Sequence, residues 1–260
     1  MTDHTQQRDA FRASASRLVA ARYPHVLGAL LGGSAARGRA TASSDLDVAV
    51  LLPDREHSGR EVVRHEGRVA ELFLNTVADL PEFFAWDRAR RRGTVLFLYD
   101  RGLPLADPHG HVARARELAR RVLASGPAPL GKEEREYGRY ALTCYVDDLA
   151  DLADLADLAD PGDAIGTDPA ARHEQLSVAD HVLREAAHLL TAHHQAWTGI
   201  GKWLPRRLID ADPVLGGALL DGHRTVAERA DPAPLVAAAE QVLGLLGGPL
   251  REGYTHRWEP

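Results

Sequence analysis

The chain has 260 residues, 45% of them hydrophobic, enough for one large or two modest domains with real cores. Its formal charge of −6 argues against a non-specific hold on nucleic acid, because phosphate neutralisation supplies most of that affinity. One cysteine, Cys144, excludes an internal disulfide, and no apolar run is long enough to cross a bilayer. Residues Met1 to Arg12 are polar and lack the pattern of a leader, so a reducing, cytoplasmic setting is expected. Lys132 and Lys202 are the only lysines, whereas arginine and alanine abound, so most arginines, the Arg88–Arg92 cluster included, are read as composition.

In chain order, Ala10 to Tyr23 predicts a helix carried by Phe11, Leu18 and Val19 and stopped by Pro24. Val26 to Leu31 predicts a strand that runs into a tight turn at Gly32-Gly33. Ser34 to Arg39 predicts a short helix with Ser34 near its N-terminus. Thr41 to Ser44 is a polar turn, and Leu46 to Leu52 is a strand closed by Pro53-Asp54. Arg68 to Thr76 reads as another strand, and Leu80 to Arg92 as a helix with Pro81 in its first turn. Thr94 to Tyr99 predicts a strand, Leu103 to Pro108 a loop or sheet edge, and His111 to Ala124 a helix. Ser125 to Pro129 has the composition of a linker.

Beyond that linker the strand pattern disappears. Glu133 to Asp160, Glu174 to Ala196, Lys202 to Ile209 and Pro234 to Leu246 all predict helices. The expected fold is therefore α+β over residues 1–126, with a mixed sheet and helices on one face, followed by an all-α bundle over residues 127–260. From Asp148 to Asp160 the triplet Asp-Leu-Ala repeats, and a stop is expected at Asp160-Pro161-Gly162. A three-residue period lags a 3.6-residue helix, so the leucines drift around the cylinder instead of forming a stripe. Repeat expansion is the simpler reading of this run, and an aspartate ladder for metal the alternative.

The chemistry concentrates in Leu30-Leu31-Gly32-Gly33-Ser34-Ala35-Ala36-Arg37-Gly38 and Ser43-Ser44-Asp45-Leu46-Asp47-Val48-Ala49-Val50. Side chains alternate along a strand, so Leu46, Val48, Val50 and Leu52 share an apolar face while Asp45 and Asp47 crowd the other. Two carboxylates pointing the same way are costly unless a cation sits between them. Hard oxygen donors of this kind suit Mg²⁺, which binds through one or two carboxylates plus substrate phosphates. A strand feeding a Gly-Gly-Ser turn presents backbone N–H groups to an anion, and the Ser34 hydroxyl can donate to a phosphate oxygen. A helix start that needs glycine only for its turn is the structural alternative.

Taken together, Leu31, Gly32 or Gly33, Ser34, Asp45, Leu46, Asp47 and Val48 resemble the signature of the DNA polymerase β-like nucleotidyltransferase superfamily. The order of strand, turn, short helix and strand around them agrees. The resemblance implies Mg²⁺-dependent transfer of a nucleoside monophosphate from ATP or another NTP to an acceptor hydroxyl, with release of pyrophosphate. It implies two Mg²⁺ ions, with Asp45 and Asp47 touching both. A third acid from a neighbouring strand would touch the ion that activates the acceptor. Glu71, in the middle of the apolar strand Arg68 to Thr76, is the choice for that acid. A salt bridge to an arginine is the other reading of Glu71, and Glu66 and Asp79 are its rivals. Gly33, Ser34 and Ser44 are the expected nucleotide contacts.

The helical half more loosely resembles the C-terminal domain of aminoglycoside-type and other small-molecule nucleotidyltransferases. That likeness implies a hydroxylated small-molecule acceptor, an antibiotic among the candidates; the acidic charge and the lack of a long apolar run lead to the expectation of neither nucleic-acid nor membrane partners. Lys202, after Gly199-Ile200-Gly201, is a candidate for reaching the triphosphate; an ordinary lysine at a helix start is the alternative. Asp148 is the candidate general base, against a solvated helix face. His173, His181, His188, His193 and His194 lack a zinc-like spacing and read as surface or core residues. Two other readings stay open: a protein-modifying adenylyltransferase of antitoxin type, and a non-catalytic nucleotide-binding module.

Overall fold

The computed structural model describes residues 2–41, 43–54, 56–158 and 169–256. The chain divides into two compact units, Met1–Pro127 and Ala128–Pro260. The end of the Asp-Leu-Ala run and the stop at Asp160-Pro161-Gly162 lie outside the described residues.

The first unit is a mixed five-stranded sheet of β1 (Gly28–Leu31), β2 (Leu46–Leu52), β3 (Gly59–His65), β4 (Arg68–Thr76) and β5 (Leu103–Ala106). The strand order is β3-β4-β2-β1-β5, with β2 and β4 parallel and the other pairs antiparallel. Its helices are α1 (Thr2–Arg22), α2 (Gly33–Ala36), α3 (Leu80–Ala89), α4 (Thr94–Arg101) and α5 (His111–Ala124). Alternation along β2 sends Leu46, Val48, Val50 and Leu52 into a core with Ala70, Leu72 and Leu74 of β4 and Phe11, Ala15, Leu18 and Val19 of α1. Each fully buried Leu or Val there contributes about 1.5–3 kcal/mol.

Helices take both faces of the sheet, not the single face expected. On the face opposite α1, the Tyr99 hydroxyl of α4 donates to Asn75 Oδ1 of β4 at 3.3 Å. Tyr99 also meets Phe84 of α3 edge-on at 5.4 Å. Gly32 approaches α4 so closely that a Cβ there would lie 1.9 Å from Leu98 Cδ1.

Thr94 to Tyr99 is helical, not the strand its β-branched and aromatic residues predict. The cause lies seven residues upstream. The buried Asp87 carboxylate accepts from the backbone N–H groups of Thr94, Val95 and Leu96, which are the donors a helix start leaves unsatisfied. With the first turn capped, Leu96 and Tyr99 fall one turn apart and both are buried. Strand β3 is a second departure. It is a mostly exposed edge strand with no clean apolar pattern, joined to β4 by Glu66-Gly67, both at positive φ (48° and 77°). Leu103–Ala106 is the edge strand at the other side, paired with β1.

The second unit is all-helical among its described residues. It comprises α6 (Lys132–Leu158), α7 (Pro169–His193), a short 3-10 turn (Gly201–Trp203), α8 (Leu204–Ala211), α9 (Pro213–Arg229) and α10 (Ala233–Leu245). Leu142, Val146 and Leu149 of α6 recur at helical spacing and pack with Val182, Ala186 and Leu189 of α7, and with Leu219 and Val226 of α9. Leu149 is fully buried and Leu152 only half-buried, the drift expected of a three-residue repeat. Helix α9 carries a start signal that its glycine-rich composition hides. Asp212 accepts from Val214 N and Leu215 N, and Pro213 takes the first position. The segment after α10 is tied to α6 by Arg139, which donates to the carbonyls of Gly247 and Gly248, and by the Arg251–Asp147 pair at 2.6 Å.

Candidate active site

Asp47 is the second residue of β2, and the register places Glu71 of β4 directly opposite it. Register partners on adjacent parallel strands point to the same face, with the strands about 4.8 Å apart. That face is the one opposite α1. Asp45, just ahead of β2, is exposed, and Asp47 is half-buried.

The glycine turn is fastened to Asp47 in two ways. The Gly32 N–H donates to the Asp47 carbonyl at 2.7 Å. A Cβ on Gly33 would lie 1.7 Å from Asp47 Oδ2, and Gly33 holds φ +62°. Only glycine meets both demands, since the left-handed region is strained for other residues and there is no room for a side chain. The first residue of α2 therefore packs its bare backbone against the Asp47 carboxylate, which links the two halves of the motif physically.

Ser34 follows in α2 and is half-buried, with its carbonyl accepting from Arg39 N at 2.9 Å. Ser44 closes the turn before β2: its hydroxyl accepts from Thr41 N at 2.8 Å, and its N–H donates to the Thr41 carbonyl at 3.1 Å. That turn holds the start of β2, and with it Asp45, in place.

Glu71 forms an ion pair with Arg60 of β3, and its side chain is 23% exposed. The same guanidinium lies over the Phe73 ring, 4.7 Å from its centroid. The two rivals of Glu71 have structural employment. Glu66 accepts from Arg17 Nε and Ser14 Oγ, each at 2.7 Å, and these bonds hold its carboxyl down to about 2, with Arg17 the larger cause. Asp79 accepts from the Ser58 hydroxyl at 2.6 Å, which with Thr76 holds it below the usual carboxylate range.

Among the described residues, no three His, Cys, Asp or Glu side chains converge closely enough to hold a metal ion. The donor chemistry nevertheless fits Mg²⁺. Asp47 and Glu71 offer hard oxygens from facing positions, and Mg²⁺ needs only one or two carboxylates when phosphates supply further ligands. The Arg60 ion pair on Glu71 is the arginine salt bridge that the other reading of Glu71 expects.

In the second unit, Lys202 is exposed in the Gly201–Trp203 turn, and Asp148 is exposed on α6 beside the Arg251-paired Asp147. Sequence reasoning passed over Glu185 of α7. Burial, and then the nearby Glu134 carboxylate, raise its pKa. Tyr145 and His181 stack 5.0 Å apart across α6 and α7, and His188 lies 3.7 Å from Glu134. Arg60 was also passed over, because its strand carries no pattern that marks it.

Residues 14–94 match the family described as "Nucleotidyltransferase domain". That segment runs from the second half of α1 into α4 and contains Asp45, Asp47 and Glu71. Residues 14–94 thus form a nucleotidyltransferase domain of the polymerase β-like superfamily, which supports a transferase. Among solved structures, it is similar to a nucleotidyltransferase-like protein from Exiguobacterium sibiricum 255-15, with 15% identity and a TM-score of 0.38, over 92% of this chain and 74% of that one. No curated protein matches it. No helix among the described residues is long and apolar enough to cross a membrane.

Proposed function

We propose that the protein transfers a nucleoside monophosphate, AMP from ATP by first expectation, to a hydroxyl of a small-molecule acceptor and releases pyrophosphate. The observation that carries this reading is the in-register facing of Asp47 and Glu71 beside the Gly32-Gly33 turn. Asp45, Asp47 and Glu71 hold divalent ions in this reading, and backbone N–H groups at Gly33 and Ser34 receive the triphosphate. Bound Mg²⁺ supplies charge neutralisation on the phosphates and a lowered pKa for the acceptor hydroxyl.

The acceptor oxygen forms a bond to the α-phosphorus, the bond from that phosphorus to the bridging oxygen breaks, and pyrophosphate departs with the electron pair. The hydroxyl proton passes to a base. Asp148 is our candidate for that base, and Lys202 our candidate for a further triphosphate contact. Residues 127–260 serve as the acceptor-binding domain, and the single cysteine fits a cytoplasmic protein. The chain's own contribution is positioning and charge stabilisation, which supply most of the rate in phosphoryl and nucleotidyl transfer.

The test is acceptor-stimulated pyrophosphate release. Each NTP is supplied with Mg²⁺ and a panel of hydroxylated compounds, antibiotics with free hydroxyls included. The expected result is one acceptor that gains the mass of a nucleoside monophosphate. A nucleotidylated protein would point instead to the antitoxin-type reading. Nucleotide binding without product across the panel would point to a non-catalytic module.

A further inference from the structure

We propose that Arg60 is a positioning residue that competes with the divalent cation for Glu71, so that the ion binds well only when a nucleotide accompanies it. The inference rests on the reading of Glu71 as a metal ligand. Strand β3 pairs Val62 with Glu71 and Arg60 with Phe73, which sets Arg60 one diagonal step from Glu71 on the same face. The guanidinium spans that diagonal, ion-paired to Glu71 and lying over the Phe73 ring. Its side chain is 59% exposed, so solvent can receive it when it leaves Glu71.

Two consequences follow from Coulomb's law. In the metal-free protein, Arg60 holds the Glu71 carboxylate through the ion pair. A divalent ion arriving alone must displace a cation from one of its own ligands and tolerate that cation nearby. A triphosphate brings enough negative charge to offset Arg60, so nucleotide and ion bind together. Removing the charge at position 60 should tighten binding of the bare ion on the order of tenfold, as expected for one unit charge a few Å away at a partly exposed site. The gain should shrink as salt rises, because exposed charges are screened.

The experiment is a titration with Mn²⁺ alone, without nucleotide, reading the free ion by electron paramagnetic resonance. It compares the wild type with Arg60→Gln, Arg60→Lys, Glu71→Gln and the Arg60→Gln/Glu71→Gln double variant, each checked for folding by thermal melting. The expected pattern is tighter binding in Arg60→Gln and near wild-type binding in Arg60→Lys, which keeps the charge. Glu71→Gln should bind more weakly, and removing Arg60 in the Glu71→Gln background should tighten binding less than it does in the wild type. Weaker binding in Glu71→Gln with no tightening in Arg60→Gln would overturn the role of Arg60 and leave Glu71 as a ligand. Unchanged binding in Glu71→Gln would overturn the ligand reading itself and this proposal with it. If Arg60→Gln fails to fold, Arg60→Met takes its place, with the same expected tightening and the same overturning result.

Discussion

Two arginines of the helical unit and one of the sheet unit are held in contrasting ways. In the helical unit, Arg139 and Arg172 act as struts on backbone carbonyls at or beyond helix ends. Arg172 donates to the carbonyls of Val226 and Ala227 at the end of α9, and Arg139 to those of Gly247 and Gly248 after α10. These contacts satisfy groups that a helix leaves unpaired and place positive charge at the favourable pole of its dipole. In the sheet unit, Arg60 forms an ion pair with Glu71, on a face where Val62 is 66% exposed. An arginine that closes a helix end on backbone carbonyls is architecture, whereas a charge pair across neighbouring strands at an exposed sheet edge can be exchanged for a ligand.

The sharpest way to break that contrast is Asp47→Asn. Pyrophosphate release should fall by about 10²-fold or more, a loss typical of removing an electrostatic group from a reacting centre. The melting temperature should stay near wild type. A large stability loss with retained activity would make Asp47 architectural, like the carboxylates that cap helices.

Gly33→Ala comes next. Its φ of +62° alone predicts a loss of about 1–2 kcal/mol in denaturant unfolding, and the new methyl would push on Asp47 Oδ2. Activity should fall further than stability does, because the displaced group is the carboxylate itself.

Asp87→Ala probes the architectural side of the same unit. It deletes the acceptor for three N–H groups of α4 and should cost about 1–2 kcal/mol, read by chemical denaturation, as other lost helix caps do.

Smaller effects come from pH, with opposite signs in the two units. Glu66 has a depressed pKa in the folded state, so its contribution is present above the ordinary carboxylate value and is lost as pH falls toward about 2. Glu66→Gln should therefore destabilise at neutral pH, and the difference should close on acidification. Glu185 has a raised pKa, so the folded state favours its protonated form. Stability falls as pH rises from the ordinary carboxylate value through the raised one. Glu185→Gln should be slightly more stable than wild type at neutral pH and lose that advantage in acid. Melting curves across pH check both.

Strands β2 and β4 were legible because both are short, largely buried apolar runs bounded by turn residues, and their limits match the expected Leu46–Leu52 and Arg68–Thr76. The glycine turn and the aspartates were legible as a motif, but the reason they belong together, the Gly33 backbone against Asp47, is a contact across two elements that spacing does not reveal. Helix α4 was misread because a short apolar run fits helix and strand alike, and the deciding group, Asp87, sits in the preceding helix. Strand β3 escaped because an edge strand needs no apolar stripe; Glu66-Gly67 was the available clue, a two-residue loop suited to positive φ. With β3 unseen, Arg60 had no strand neighbours, and its meeting with Glu71 was out of reach.

The central claim is that Asp45, Asp47 and Glu71 hold divalent cation and nucleotide together. The most direct test is Mn²⁺ binding measured by electron paramagnetic resonance in the presence of a non-hydrolysable ATP analogue. Nucleotide-dependent binding should appear in the wild type, be lost in Asp47→Asn and be weakened in Glu71→Gln, with melting temperatures unchanged. Equal binding by all three proteins would contradict it.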